Sequence, residues 1–330
     1  MKILCLGHLT YDTTLPVDFY PEENEKYHIG KKISCGGGPA SNAGFLLGKW
    51  NEDVTIAGVL GNDYEGNKIL EEYTNIGIDT KYIEKVDNIE TDTSYIIANT
   101  SNGSRTVLTT NTNRKTHPYT LDITDNFDYL VFDGEEYETA IKVLESNPNA
   151  VSILDAGNLR EGSKALAPLV TYLVCSHDYA EEFTNMVMDY NDINSIIKIY
   201  EEMKKTYKNH LIITLESFGC FTKLNGEYKI IPSIKVKPID STGAGDIFHG
   251  ALTYFIMHKY TGIDAHYILI QARHGVPPIL LYIALEFGAH LAVIIHGGKS
   301  VVDLAGRKNE TILLAVCHQH LEKFVLCHNI

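Results

Sequence analysis

An α/β fold, with a mostly parallel central sheet and a smaller second sheet beside it, follows from three observations. Short, nearly continuous apolar runs rich in β-branched residues recur along the chain, at Ile3-Leu4-Cys5-Leu6, Val54-Thr55-Ile56-Ala57-Gly58-Val59, Tyr129-Leu130-Val131-Phe132, Val151-Ser152-Ile153-Leu154, Tyr172-Leu173-Val174 and Leu211-Ile212-Ile213-Thr214. Helical patterns separate these runs, and strands that are apolar on both faces with helices between them belong to a parallel sheet covered on both sides. Two other stretches, roughly Thr10 to Ser34 and Thr93 to Thr110, alternate apolar and polar residues, the second with a turn at Ser101-Asn102-Gly103-Ser104. Alternation gives strands with one wet face, so these stretches are expected to pair into a small sheet that covers a pocket.

The organisation these patterns give is a core of residues 1–9, 35–92 and 111–330 with a lid of residues 10–34 and 93–110. A chain of 330 residues with 44% hydrophobic content can bury one large core, and no linker, internal repeat or low-complexity segment divides it. The net charge of −14 and the absence of any basic run disfavour a nucleic-acid or anionic-membrane partner. The stretch from Val276 to Ile295 is apolar enough to raise the question of a membrane span. It holds Glu286 and His290 and opens on Pro277-Pro278, so a buried helix is expected instead. Six cysteines, Cys5, Cys35, Cys175, Cys220, Cys317 and Cys327, are scattered, and Met1-Lys2 leads straight into a strand with no secretory signal. Free thiols in a reducing cytoplasm are the expectation.

The segment Asp240-Ser241-Thr242-Gly243-Ala244-Gly245-Asp246-Ile247-Phe248-His249-Gly250-Ala251-Leu252 puts small residues and a carboxylate where an apolar helix begins. Gly243 and Gly245 permit tight or left-handed backbone, and the free N–H groups of residues 243–246 converge at a helix N-terminus, which attracts anions. Asp246, at the helix start, is placed to accept a proton from a hydroxyl that attacks a phosphate held by those amides. A plain turn with Asp246 as N-cap accounts for any two of these residues but not for the whole run. Early in the chain, Gly36-Gly37-Gly38-Pro39-Ala40-Ser41-Asn42-Ala43-Gly44 lets backbone approach a polyol, while the Asn42 amide offers both a donor and an acceptor to its hydroxyls.

These two runs resemble the paired signatures of the PfkB, or ribokinase-like, carbohydrate kinases. Those signatures are an Asp-Thr-x-Gly-Ala-Gly-Asp run followed by an aromatic and a Gly-Ala pair, and an early Gly-Gly-x-x-x-Asn run. The resemblance implies a ribokinase-like three-layer sandwich with a small β-sheet lid over the sugar, and an ATP-dependent phosphotransferase. In it Asp246 is the base, Gly243, Ala244 and Gly245 supply the anion hole, and Asp12, Gly37, Gly38 and Asn42 hold the acceptor. It places Glu135 roughly where some relatives keep a substrate-contacting acid, with Asp133 and Glu136 competing for that position. The run from Gly58 to Gly66 resembles a conserved family turn and is structural by itself.

On the nucleotide side, Thr214-Leu215-Glu216-Ser217-Phe218-Gly219 resembles the strand-end segment near the ATP ribose and phosphates, with Glu216 where a glycine is usual. The implied nucleotide contacts are Thr214, Gly219, Thr242, Gly243 and Gly245. Cys175-Ser176-His177-Asp178-Tyr179-Ala180 stands in the position of an Asn-x-x-Glu motif associated with Mg²⁺ and phosphate. Its Ser-x-Asp-x-Ala pattern is similar to that of ketohexokinases and leaves Asp178 as a metal candidate. ATP and Mg²⁺ are implied, and in many relatives a monovalent cation such as K⁺ sits where Asp240 and Ser300 stand here. The chain departs from the family at Ala272-Arg273-His274-Gly275-Val276-Pro277-Pro278, which interrupts any helix on the adenine side. Gly297-Gly298-Lys299-Ser300 resembles the family's terminal glycine loop; it is no Walker A ending, because Val293 stands where the first glycine belongs. In the tail, Cys317, His318, His320, Cys327 and His328 are metal-ligand types at a spacing that fits no zinc pattern, and Leu313, Leu314, Leu321, Phe324 and Val325 suit a packing helix.

The expected acceptor is a free pentose or ketohexose, because the lid segments show no basic cluster to hold a second phosphate, Arg105 and Arg114 standing isolated. A nucleoside acceptor is the nearest rival and needs an aromatic platform, for which Tyr11, Phe19 and Tyr95 are the candidates. A catalytically silent sugar- or nucleotide-binding protein is the alternative of a different class. Exposed lid edges would allow a homodimer.

Overall fold

Successive side chains of a strand point to opposite faces, so a sheet that is apolar on both faces needs a helical layer on each. The computed structural model describes residues 1–110, 121–233 and 241–258, with two short strands at Val293–Ile294 and Val301–Val302. Its central sheet has the order β13 (Glu227–Ile231), β12 (Cys220–Leu224), β11 (His210–Thr214), β10 (Tyr172–Ser176), β9 (Val151–Ala156), β8 (Tyr129–Phe132), β1 (Lys2–Leu6), β4 (Asp53–Gly61) and β5 (Asp79–Val86). The runs read from the sequence become β1, β4, β8, β9, β10 and β11, all parallel.

Each strand divides its side chains between two cores. Leu4, Leu6, Leu130, Phe132 and Leu154 pack with Val143 of α3 (Tyr137–Ser146), Leu166 of α4 (Glu161–Leu166), Tyr179 of α5 (His177–Thr184) and Ile199 of α6 (Ile193–Thr206). Ile3, Cys5, Ile56, Val131 and Ile153 pack instead with Leu47 of α1 (Pro39–Lys49), Ile69 of α2 (Tyr64–Thr74) and Leu252 of α7 (Ala244–Met257). Two helical layers around one sheet make a three-layer sandwich.

The smaller sheet has the order β3-β2-β6-β7, from β2 (Thr10–Val17), β3 (Ile33–Gly37), β6 (Asp92–Asn99) and β7 (Arg105–Thr109). Strands β2 and β6 run parallel, and β3 and β7 flank them antiparallel. Of the alternating stretch 10–34, residues 18–32 form no strand, and β3 continues to Gly37, so the glycine run starts inside the small sheet.

Two parts of the central sheet go beyond the runs read from the sequence. Strand β5 (Asp79–Val86) is a half-exposed edge with charges among its apolar residues, and the hairpin of β12 (Cys220–Leu224) and β13 (Glu227–Ile231) adds antiparallel strands at the opposite edge. Asp240, Arg114, the interruption at 272–278, the Gly297–Ser300 loop and the Cys/His tail lie outside the described residues. Of the apolar stretch 276–295, only Val293–Ile294 is described, and it is a strand paired antiparallel with Val301–Val302 rather than helix. Among the described residues no helix is long and apolar enough to cross a membrane. The four described cysteines form no disulfide with one another.

Candidate active site

Helices α1 and α7 start side by side at the carboxyl ends of the parallel strands, where open α/β sheets bind ligands. The position is fixed by Asp133, just past β8. Its buried carboxylate accepts from the backbone N–H of His8 at 2.9 Å, Ala40 at 3.2 Å and Glu135 at 3.0 Å. Burial raises its affinity for a proton, which those bonds oppose. Gly38, at φ 106°, turns β3 into α1 so closely that a Cβ would overlap the His8 carbonyl. Pro39 then opens the helix, where its missing N–H costs nothing. The α7 entry is built alike. Gly243 adopts the left-handed conformation at φ 72°, and the Ala244 N–H bends back to the Ser241 carbonyl at 3.3 Å. A Cβ on Gly245 would meet nothing within 4 Å, so open space faces the first turn, where helix geometry leaves amides without intrahelical acceptors.

The two helix starts are tied across a sequence separation of 204 residues: Asn42 Nδ2 donates to Asp246 Oδ2 at 2.7 Å. Close packing allows it, since Gly250 lies against the Ala43 backbone. Beside this pair is a narrow cleft with a cavity volume of about 60 Å³, lined by Asp12, Thr14, Cys35, Gly36, Ser41, Asn42, Phe45, Glu72, Tyr73, Ile96, Thr242, Gly243 and Ile247. Asp246 does not itself line the cleft; it borders it through its bond to Asn42 and its place in the chain between the lining residues Gly243 and Ile247. Gly37 and Gly38 are not among the lining residues, and a side chain on Gly37 would run into the Asp12 carboxylate. Burial pushes Asp12 up to about 6, and the Asp246 charge adds to this while hydrogen bonds from Ser94 and Thr10 oppose it.

The model of the family described as "pfkB family carbohydrate kinase" matches residues 1–266. The chain belongs to the pfkB family of carbohydrate kinases. Among its relatives, the ribokinase of Lactococcus lactis is 23% identical over 83% of this chain and 89% of its own. The ATP-dependent ribose-1-phosphate kinase of Halopiger xanaduensis is 22% identical over 75% and 82%. A crystal structure of a putative ribokinase from Agrobacterium tumefaciens superposes with a TM-score of 0.70 at 23% identity, covering 78% of this chain and 84% of that one. This carbohydrate kinase is thus a phosphotransferase on the ribokinase fold.

In the segment read from the sequence as nucleotide-facing, Thr214 ends β11 with its hydroxyl on the Cys175 carbonyl at 3.3 Å, and Gly219 takes φ 110° against the Ile231 carbonyl. Glu216 adopts φ 50°, a left-handed conformation that glycine accommodates without strain, which gives the family's usual glycine a backbone reason. Asp178 lies in the first turn of α5 with its side chain 70% exposed and 3.1 Å from His177 Nε2. No trio of potential metal ligands gathers around it among the described residues. Glu135 is not brought to the cleft; its carboxylate takes Arg160 Nη1 at 2.7 Å on the surface. Of the aromatic candidates, Phe19 and Tyr95 are exposed and none of the three lines the cleft.

Three features of the kinase were missed in the sequence. Glu72 and Phe45 line the cleft, and Arg105 reaches from β7 to donate to Ser241 Oγ at 2.6 Å, which joins the small sheet to the α7 entry. Behind the first turn of α7, His249 Nδ1 lies 2.6 Å from the Gly245 carbonyl and 3.0 Å from buried Asp155. Burial raises Asp155's proton affinity in spite of the imidazole.

Proposed function

We propose that this kinase transfers the γ-phosphate of ATP to a hydroxyl of a small free sugar, a pentose or a ketohexose, with Asp246 as general base. The supporting observation is the Asn42–Asp246 bond, which holds a carboxylate at the border of the cleft and beside the open first turn of α7. In this reading Asp12 accepts from two acceptor hydroxyls, Asn42 orients a third and keeps Asp246 aimed, and the backbone at Gly37 and Gly38 lets the sugar approach. Asp246 removes the proton as the hydroxyl attacks, and the amides of residues 243, 245 and 246 face the charge that develops on phosphate, the Ala244 N–H being turned to the Ser241 carbonyl. Thr214, Gly219 and Thr242 border the nucleotide. Mg²⁺ supplies charge neutralisation on the phosphates, and exposed Asp178 suits an ion that keeps most of its waters. The core and lid boundaries read from the sequence, and a homodimer through the lid, belong to the same proposal.

Phe45 favours a second reading, since an aromatic wall in the cleft can stack on the base of a nucleoside acceptor. ADP release measured across ribose, fructose, ketodeoxygluconate, adenosine and sugar phosphates separates the two. Stimulation by a free sugar is expected. Stimulation by adenosine alone selects the nucleoside reading, and melting-temperature shifts without turnover select a silent binding protein.

A further inference from the structure

Two carboxylates line the acceptor cleft, and the second comes from an element outside both glycine signatures. Glu72 sits on α2 between Ile69 and Tyr73 on the buried face, and its Oε2 accepts the Gly36 N–H at 2.9 Å. That bond pins the side chain to the end of β3. The other oxygen, Oε1, has no hydrogen-bond partner among the described residues, so it remains an acceptor at the cleft wall. Asp12 stands in the same lining, and no lysine or arginine among the described residues joins it. The cations that act on Glu72, Lys49 and Lys68, lie outside the lining. Neutral hydroxyls satisfy such a wall; a phosphate or carboxylate on the acceptor meets two like charges in a partly desolvated site.

We infer that Glu72 determines acceptor specificity, contacting hydroxyls of an uncharged sugar and excluding acceptors that already carry an anionic group. The inference rests on the kinase reading of the cleft. Glu72→Gln tests it cleanly, because the glutamine carbonyl still takes the Gly36 N–H while its NH₂ replaces Oε1. A role confined to anchoring β3 leaves that variant unchanged. ADP release is measured with ribose, fructose, ribose 5-phosphate and fructose 6-phosphate, and melting-temperature shifts are read with the same four compounds without ATP. For the best free sugar, Glu72→Gln is expected to raise KM about tenfold with kcat nearly constant. The preference for free sugar over its phosphate is expected to fall by a similar factor, about tenfold. Glu72→Asp, which keeps the charge, is expected to keep the exclusion of phosphate. An unchanged preference in Glu72→Gln, or a wild type that prefers the phosphorylated sugar, overturns the inference. If no acceptor drives ATP turnover, the kinase reading fails by itself, and the melting-temperature shifts still report whether Glu72 discriminates.

Discussion

Burial of Asp12 sets a pH dependence with a definite sign. Its folded-state pKa, about 6, lies above the ordinary 3.8, so the folded chain binds this proton more tightly than the unfolded one. The stability lost by ionising it is nil below about pH 4, grows as pH rises to about 6 and is full above that. Asp12→Asn is therefore expected to raise stability at pH 7.5 by on the order of 1–3 kcal/mol, with the gain vanishing near pH 4 in urea titrations. The same variant is expected to lose acceptor binding, and wild-type kcat/KM for the acceptor falls as pH drops below about 6. Asp246 and Asn42 were legible because glycines at fixed offsets announce backbone that a ligand approaches. Glu72 was not, since an acidic pair at Glu71-Glu72 reads as a solvated helix face. The signal was its phase: three residues after Ile69 and one before Tyr73, it shares their buried side.

Among the elements, α2 shows how the turn between Gly58 and Gly66 contributes to stability. Asp63 caps the helix by accepting the Gly66 N–H at 2.8 Å and also takes the Thr91 N–H at 2.6 Å and its hydroxyl at 2.7 Å, joining β4, α2 and the approach to β6. Burial opposes its ionisation, but these bonds prevail and hold its pKa below the usual carboxylate value. Its contribution is thus present above the unfolded pKa and lost as pH falls through the depressed folded value. Asp63→Ala is expected to cost about 2–3 kcal/mol at pH 7 in denaturant titrations, and less as the solution is acidified below about pH 4. The buried parallel strands were readable as apolar runs, whereas β5 hides its strand character because an edge tolerates Lys81, Glu84 and Lys85. The β12–β13 hairpin carried a signal in Asn225-Gly226, whose φ values of 50° and 85° suit a type I′ turn.

For the whole molecule, the small sheet is tied to the rest of the chain at two further places. His8 after β1 meets Asp92 of β6 at 2.7 Å, and Arg105 and the Gly103 carbonyl both reach Ser241. Strand β7 is exposed along its full length, with Leu108 at 54% and Val107 at 48%, and its outer edge pairs with no described strand. Such an edge suits a second copy of the chain. Sedimentation is expected to show a dimer that Leu108→Glu converts to monomer, and a wild-type monomer at high concentration contradicts the proposed lid pairing. The three-layer architecture was legible from strand runs and helical spacing. The contact of the small sheet with the α7 entry was not, because Arg105 and Ser241 are 136 residues apart and only tertiary contact joins them.

The most direct measurement compares the wild type with Asp246→Asn, reading ADP release with the best acceptor beside the binding of that acceptor. The account predicts that kcat falls by about 10²–10⁴-fold while the acceptor's dissociation constant stays within a few-fold, as expected of a base that acts in the transition state. Turnover that survives the substitution would contradict it.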